Sequence, residues 1–497
     1  MTEPGASSHK QILRSSSIIG GAAVVNIAVG LVKTKIVAIL LGPVGLGLIV
    51  LLQNLMQTAA SVANMGLGQA GTRKVAEALG DQARIALVRR TLLVATALLG
   101  LTAAATMWAA SDPLAEWVAP GMHAGWQVRW LGIGVAVTVA TQAQTALLMG
   151  FRRIGDLARV STLSVLVSAV VGVGAVWWWG EGGIVAFVLI QVVATFAIGH
   201  FYVARMPRPA HVPLPMAALR GELTGMLSFG AALTVAAICV NAGQLFARSL
   251  IQQRLGAAAV GLFQASWLIS VTYIGFVLQA MGTDFYPRAV AANKDPKLLV
   301  RLVNEQTEVA LLLAAPVLLG ILGIAPWLMR LLYARAFDPA VAVLQWQVLG
   351  DVLKVASWPL GYLLLAINAS RVFMVAEITS IGVLLAVLWL LLPLIGLEAS
   401  GASVLGMYLF YLPLVYGFGV VRAGFRWTRG NLLLGGGLFT ACTAVMTMSR
   451  AMPLAGASLG LGLAGGAGIL CVWRLRHALP GPLGAISQRL SMTINRS

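Results

Sequence analysis

Charge is scarce in this sequence. Only 10% of the 497 residues are Asp, Glu, Lys or Arg, where a soluble protein carries roughly 25%. A water-facing surface cannot be built from so little, which excludes a soluble enzyme or a soluble binding module. Acidic residues are scarcer still, 16 against 34 Lys and Arg. Cysteine is nearly absent: Cys239, Cys442 and Cys471 each lie inside an apolar run, so neither a disulfide framework nor a metal site is expected. The sequence has no P-loop, HExxH, GxSxG or CxxC, which removes P-loop ATP hydrolysis and the usual hydrolytic signatures. Gly460, Gly462 and Gly465 fit GxGxxG, but inside an apolar run with no strand before it. Close helix packing through small residues is the better reading there. The polar first fifteen residues carry no cleavable signal.

Apolar residues are what the chain has in quantity: 59% of it, with a mean hydropathy of +0.88. The half-polar strands of a transmembrane β-barrel do not reach that level. The expected fold is therefore an all-α polytopic membrane protein. Fourteen stretches are long enough to span: 16–41, 44–69, 91–111, 127–150, 159–179, 183–204, 224–248, 257–282, 306–329, 342–367, 372–394, 399–421, 431–449 and 453–473. Turn signals such as Gly42-Pro43, the Gly180–Gly183 cluster and Pro207-Arg208-Pro209 separate them.

A net charge of +18 and a pI near 10.7 invite a nucleic-acid reading. The distribution argues against it, because Lys and Arg recur in small groups between apolar runs, as topology determinants do. No nucleic-acid partner is expected. With the N-terminus in the cytoplasm, 25 of the 34 basic residues fall on the cytoplasmic side and 5 opposite, while Lys33, Lys35, Arg129 and Lys354 lie within spans. That bias predicts cytoplasmic termini and an even number of spans.

The chain also repeats itself. Leu41, Gly42, Gly47 and Leu48 recur 214 residues later as Leu255, Gly256, Gly261 and Leu262, and Gly68 falls on Gly282. Each copy holds six spans, so both copies have the same orientation, a parallel repeat of the kind many transporters use. The expected organisation is an N-terminal six-helix lobe over 1–212, a C-terminal six-helix lobe over 213–430, and a further helix pair with a cytoplasmic tail over 431–497.

Polar side chains inside the spans are the candidates for function. A Lys or Arg at mid-bilayer costs about 2.5–3.5 kcal/mol on insertion scales, so it usually faces protein or an aqueous cavity. Lys33 and Lys35 are two residues apart, roughly 200° around a helix, so both cannot face one cavity squarely. Lys35 and Arg248 stand at nearly equivalent places in the two copies, which suggests a cationic ring around a central cavity; interfacial snorkelling is the alternative. Arg129 opens the fourth span near Trp126 and Trp130, either as part of that cationic surface or as a headgroup anchor. Asp351 and Lys354, at i and i+3, can pair, as a structural bond or as a gate exchanging partners with Glu377. Gln53, Gln57, Ser61 and Asn64 form a stripe along one face of span 2. With Asn241, Gln244, Gln264 and Gln279 they either join helices or line a wet cavity suited to sugars.

At these residues the chain resembles the Wzx-type lipid-linked oligosaccharide flippases, the O-antigen and enterobacterial-common-antigen translocases of the multidrug/oligosaccharidyl-lipid/polysaccharide exporter superfamily. The resemblance rests on Lys35–Leu48 (KIVAILLGPVGLGL), Gly150-Phe151-Arg152, Trp346–Val355 (WQVLGDVLKV), Gly361-Tyr362-Leu363 and Met374–Glu377. It implies two six-helix lobes in a V working by alternating access. The implied cargo is an undecaprenyl-diphosphate-linked oligosaccharide moving from the cytoplasmic to the periplasmic leaflet of a bacterial inner membrane, without bond chemistry. It also implies that Lys35, Arg248, Asp351, Lys354 and Glu377 match family positions, and that a polysaccharide polymerase and a chain-length regulator are the candidate protein partners. No cofactor is expected; an ion gradient or the membrane potential is the candidate driving force. The last helix pair departs from twelve-helix members, whereas related flippases of peptidoglycan precursor form a lipid groove with such a pair. The competing readings are a multidrug or small-molecule cation antiporter, which calls for cavity carboxylates, and a membrane glycosyl transferase or polymerase, which calls for larger outer loops.

Overall fold

The computed structural model describes residues 4–118, 120, 125–206 and 216–475, with side-chain surroundings from residue 21 onward apart from some positions between 228 and 284. Every regular element among the described residues is helical. The chain divides into two compact units, Met1–Gly261 and Leu262–Ser497. The first holds α1 (Pro4–Asn64), α2 (Leu67–Glu77), α3 (Gln82–Ala109), α4 (Ser111–Val118), α5 (Gly125–Gly150), α6 (Ile154–Val167), a π-helical turn (Ser168–Gly172), α7 (Val173–Trp179), α8 (Ile184–Ala204) and α9 (Met216–Leu255). Next comes α10 (Ala257–Ala291), whose first turn closes that unit. The second unit continues with α11 (Pro296–Leu332), α12 (Ala340–Ala366), α13 (Ser370–Ile395), α14 (Glu398–Ala423), α15 (Arg429–Ala451) and α16 (Pro453–Leu475).

Among the described residues, ten stretches are long and apolar enough to cross a membrane. Two of them, Gly21–Asn64 with 44 residues and Ile154–Ala204 with 51, are about twice the length a bilayer needs. Each contains a break, at Gly42 (φ 63°, ψ −167°) and at Gly180 (φ 56°, ψ −130°). Each is therefore two spans. With α9 and α10, 40 and 35 residues long, fourteen helical segments of spanning length result among the described residues. The chain is an all-α polytopic membrane protein. Sequence reading did not anticipate the short α4, the π-turn, or the break at Met65 (φ 44°) and Gly66 (φ 75°) that separates α1 from α2.

The repeat is written in the backbone more fully than in the sequence. Gly42 and Gly256 both have left-handed φ, 63° and 84°, a conformation glycine enters without steric cost. Arg152 and Asn368 form a second matched pair (φ 56° and 57°). Each ends its helix in a Schellman motif: Arg153 N donates to Leu148 O and Ala369 N to Leu364 O, both at 2.8 Å. Gly180 and Gly396 form a third, both at φ 56°, ψ −130°. The spacing shifts from 214 residues at the first pair to 216 at the other two.

Each unit has its own core. Leu67, Val88, Leu92, Leu147 and Met226 anchor one cluster in the first, and Leu360, Leu363, Val415 and Phe425 one in the second. Trp108, Trp126, Trp130 and Trp177–Trp179 lie exposed near the ends of α3, α5 and α7, where amphipathic rings suit a headgroup layer. Between α11 and α12, Arg330 donates to both carboxylate oxygens of Asp338 (2.9 and 2.8 Å), which holds that carboxyl below the usual range.

The final helix pair is tied into the second unit. Asn431 donates to Asn304 O (2.9 Å) at the start of α15, and Arg450 reaches Glu398 (2.9 Å) at its end. Gly460 of α16 meets Gly323 of α11 backbone to backbone. Of the three glycines in the GxGxxG run, only Gly460 makes such an approach; Gly462 and Gly465 face open space.

Candidate functional site

The in-span cations of the first unit have different surroundings. Lys33 turns into the unit, where its Nζ donates to Ser168 Oγ (3.0 Å) and Gln191 Oε1 (3.1 Å) and lies 5.0 Å from the Phe187 ring centroid. Ser168 opens the π-turn, a local widening of the helix that recurs at functional positions. All three neighbours are neutral. Lys35, half-buried, makes no hydrogen bond or ion pair among the described residues. The two lysines thus take different directions, as their spacing requires. Arg248 is 3% exposed, and its guanidinium donates to the carbonyl and the side-chain oxygen of Gln244 one turn earlier (3.2 and 3.3 Å). Arg129 is half-exposed and pairs with Asp112 of α4 at 3.1 Å, with Ser111 Oγ at 3.0 Å.

The polar stripe of span 2 divides. Gln53 is half-buried and Gln57 exposed. Ser61 accepts from Asn241 of α9 at 2.9 Å. Ser61 and Asn64 line a cavity of about 380 Å³ with Gln69 and Thr72 of α2 and Gln142 and Thr145 of α5. The last four were not singled out from sequence. The cluster Thr138, Thr141, Gln142, Gln144 and Thr145 in the fourth span was the signal that could have found the two on α5; Gln69 and Thr72 had none. Gln244 is engaged with Arg248, and Gln264 lies half-buried in the second unit. The side chain of Gln279 lies outside the described residues.

In the second unit a buried polar chain joins four helices. Asp351 is 1% exposed and lies 3.9 Å from Lys354 Nζ. Its other oxygen accepts from Ser270 of α10 at 2.5 Å. Glu377 of α13 accepts from Tyr411 of α14 at 2.6 Å. Tyr408 of α14 lies within electrostatic reach of Lys354, Asp351 and Glu377. The sequence offered the three charges; Ser270, Tyr408 and Tyr411 come from the fold. Glu377 is bonded to Tyr411, while Lys354 and Asp351 form an ion pair at 3.9 Å.

The sequence pattern of the polysaccharide biosynthesis protein family matches residues 12–291, more than half of the chain. The chain belongs to that family. It is 23% identical over 420 residues to the lipid III flippases of Escherichia coli strain K12 and Shigella flexneri, covering 82% of this chain and 97% of each relative. Among solved structures it is similar to the lipid II flippase MurJ in an inward closed conformation (TM-score 0.69, 9% identity, 93% of this chain and 99% of that one). It is also similar to an inward-facing multidrug resistance MATE transporter of the MOP superfamily (TM-score 0.68, 16% identity, 81% and 94%). At those identities the structures establish the fold this family member shares with them.

Proposed function

We propose that this chain is a flippase that moves an undecaprenyl-diphosphate-linked oligosaccharide from the cytoplasmic to the periplasmic leaflet of a bacterial inner membrane, by alternating access. The observation that carries the proposal is the match to the lipid III flippases over 97% of their length. The charge of the first unit supports it. Lys33, Lys35 and Arg248 lie in its spans, while residues 16–69 contain no Asp or Glu. A diphosphate crossing a low-dielectric core needs cations to offset its desolvation, and arginine can grip it through two parallel hydrogen bonds. A cationic drug would need carboxylates in the same places.

Lys35, Arg248, Lys33 and, at the outer end, Arg129 are the proposed diphosphate ligands. Asp351, Lys354 and Glu377 are the proposed gating charges. The polar faces carrying Gln53, Gln57, Ser61, Asn64, Asn241, Gln244 and Gln264 are proposed to meet the glycan. The driving force is an ion gradient or the membrane potential, and a polysaccharide polymerase and chain-length regulator are the proposed partners.

The test is surface-glycan display in a flippase-deficient strain, at matched membrane abundance. Lys35→Arg is expected to keep most activity, Lys35→Ala and Arg248→Ala to lose most of it, and Arg248→Lys to fall between. Loss of one charge-assisted contact, about 1.5–3 kcal/mol, corresponds to roughly 10- to 150-fold in affinity. Full display by both alanine variants would reduce these cations to interfacial anchors. Orientation is tested separately. Cysteine-accessibility mapping is expected to place Arg90 and Arg426 in the cytoplasm and Glu116 and Glu181 outside; a cytoplasmic Glu181 would overturn the topology.

A further inference from the structure

The cavity at the end of the polar stripe has a composition that selects among ligands. It is bounded by the end of α1, by α2, and by α5 and α9 within the first unit. Its volume of about 380 Å³ is within the ~300–1,000 Å³ range of small-molecule sites. Among the described residues, no Lys, Arg, Asp or Glu lines it. On α2 and α9, Lys74 and Glu222 pair with each other at 3.2 Å, and Arg73, which follows the lining residue Thr72, pairs with Glu77 at 2.7 Å.

Four of its polar side chains are uncommitted, while Ser61 is held by Asn241 and Thr72 by the Gly68 carbonyl. The side chains of Asn64, Gln69, Gln142 and Thr145 make no hydrogen bond among the described residues, and Asn64 Oδ1 is buried without a partner. A buried polar atom left unpaired costs free energy, so groups of this kind mark a place where a ligand supplies the bond. Three of the four are amides, and an amide presents donors and an acceptor together. A phosphate offers acceptors alone and brings charge, which this uncharged wall does not offset. A sugar hydroxyl both donates and accepts, and an acetamido group supplies an N–H and a C=O. Met149, Ala146 and Ala237 form the apolar side of the cavity, which suits the C–H face of a pyranose ring.

We propose that this cavity is a subsite for an uncharged sugar of the transported glycolipid, a hexose or N-acetylhexosamine, and that it disfavours a uronic acid. The assignment rests on the flippase reading above and adds to it the class of sugar recognised. It separates two tasks within one unit: cations for the diphosphate, and neutral amides for the glycan.

The experiment measures binding to the full chain in lipid nanodiscs. Three probes share one short prenyl diphosphate: one carries N-acetylglucosamine, one glucuronic acid, and one no sugar. The N-acetylglucosamine probe is expected to bind about tenfold tighter than the sugar-free one, the effect of one or two neutral hydrogen bonds. The glucuronic acid probe should show no such gain. Gln142→Leu and Asn64→Leu should each abolish the gain while leaving sugar-free binding unchanged, which also verifies that the variants fold. Where one of them fails to fold, Thr145→Val supplies the same comparison. Equal binding of the neutral-sugar and sugar-free probes, or a gain that survives these variants, would overturn the subsite and leave the flippase reading standing. If no prenyl diphosphate binds at all, the flippase reading falls and takes the subsite with it.

Discussion

Lys354→Met is expected to destabilise the second unit by about 3–5 kcal/mol, the range for removing one partner of a buried ion pair. The reason is the position of Asp351. At 1% exposure it has no access to water, and besides Lys354 at 3.9 Å its bonded neighbour is Ser270, a neutral donor. Without the ammonium, a carboxylate is left in the interior with one hydroxyl to solvate it. The reverse change is expected to be milder. Asp351→Asn keeps an acceptor for Ser270, and the Lys354 side chain, 23% exposed against 1% for Asp351, is the less enclosed of the two charges. Unfolding in detergent should therefore rank Lys354→Met as more damaging than Asp351→Asn. The double variant should recover part of the loss, with a coupling of about 0.5–3 kcal/mol. Additive losses would show that the 3.9 Å approach carries no energy. The same variants report on gating. If the pair opens during transport, the double variant should regain stability without regaining full glycan display.

Much of this architecture could be read from residue order alone, because a bilayer imposes the simplest length rule in protein structure. The stretch 453–473 became α16 (Pro453–Leu475), and 257–282 became the first three-quarters of α10. Hydropathy marks where a helix is in lipid; it does not mark where the helix ends in water. That is why α3 begins at Gln82, before the apolar run at 91, and why α11 starts at Pro296 with Asp295 as its N-cap. The repeat was legible at Gly42 and Gly256, where backbone conformation demands one residue type. It was invisible at Arg152 and Asn368, because a Schellman turn fixed by two backbone hydrogen bonds tolerates either residue at some conformational cost.

The candidate site divides along the same line. Pairing of Asp351 with Lys354 follows from helical spacing and needs no tertiary knowledge. The environment of Lys33 does not. Its acceptors, Ser168 and Gln191, are 135 and 158 residues away, and the π-turn at Ser168 has no signature in the local sequence. Spacing alone said that Lys33 and Lys35 point different ways, but not what each one meets. The fold distinguishes them, one held by neutral acceptors and the other making no bond among the described residues.

A small residue at Gly47 and Gly261 is expected to matter nearly as much as the buried pair. Gly47 lies in α1 just after the Gly42 break, and Gly261 lies in the first turns of α10 just after Gly256. A Cβ on Gly47 would run into the carbonyl of Ala257 and the nitrogen of Gly261. A Cβ on Gly261 would run into the carbonyl of Pro43 and the nitrogen of Gly47. The two contacts are reciprocal, and all the obstructing atoms are backbone, so no side chain can swing aside. Membrane helices gain most of their association energy from such close approach, since lipid supplies no hydrophobic drive. Alanine at either position is therefore expected to cost about 1–3 kcal/mol, the range for overpacking, and valine more. Gly468→Ala, where nothing lies within 4 Å of the new methyl, should instead be neutral or stabilise by up to about 1 kcal/mol through helix propensity. The double variant Gly47→Ala/Gly261→Ala gives the sharpest reading. Both methyl groups intrude on one approach, so once the first has pushed the helices apart the second finds space. The combined loss should be well short of the sum. If thermal unfolding instead shows two independent losses, or none at either site, the two segments are not held by this contact.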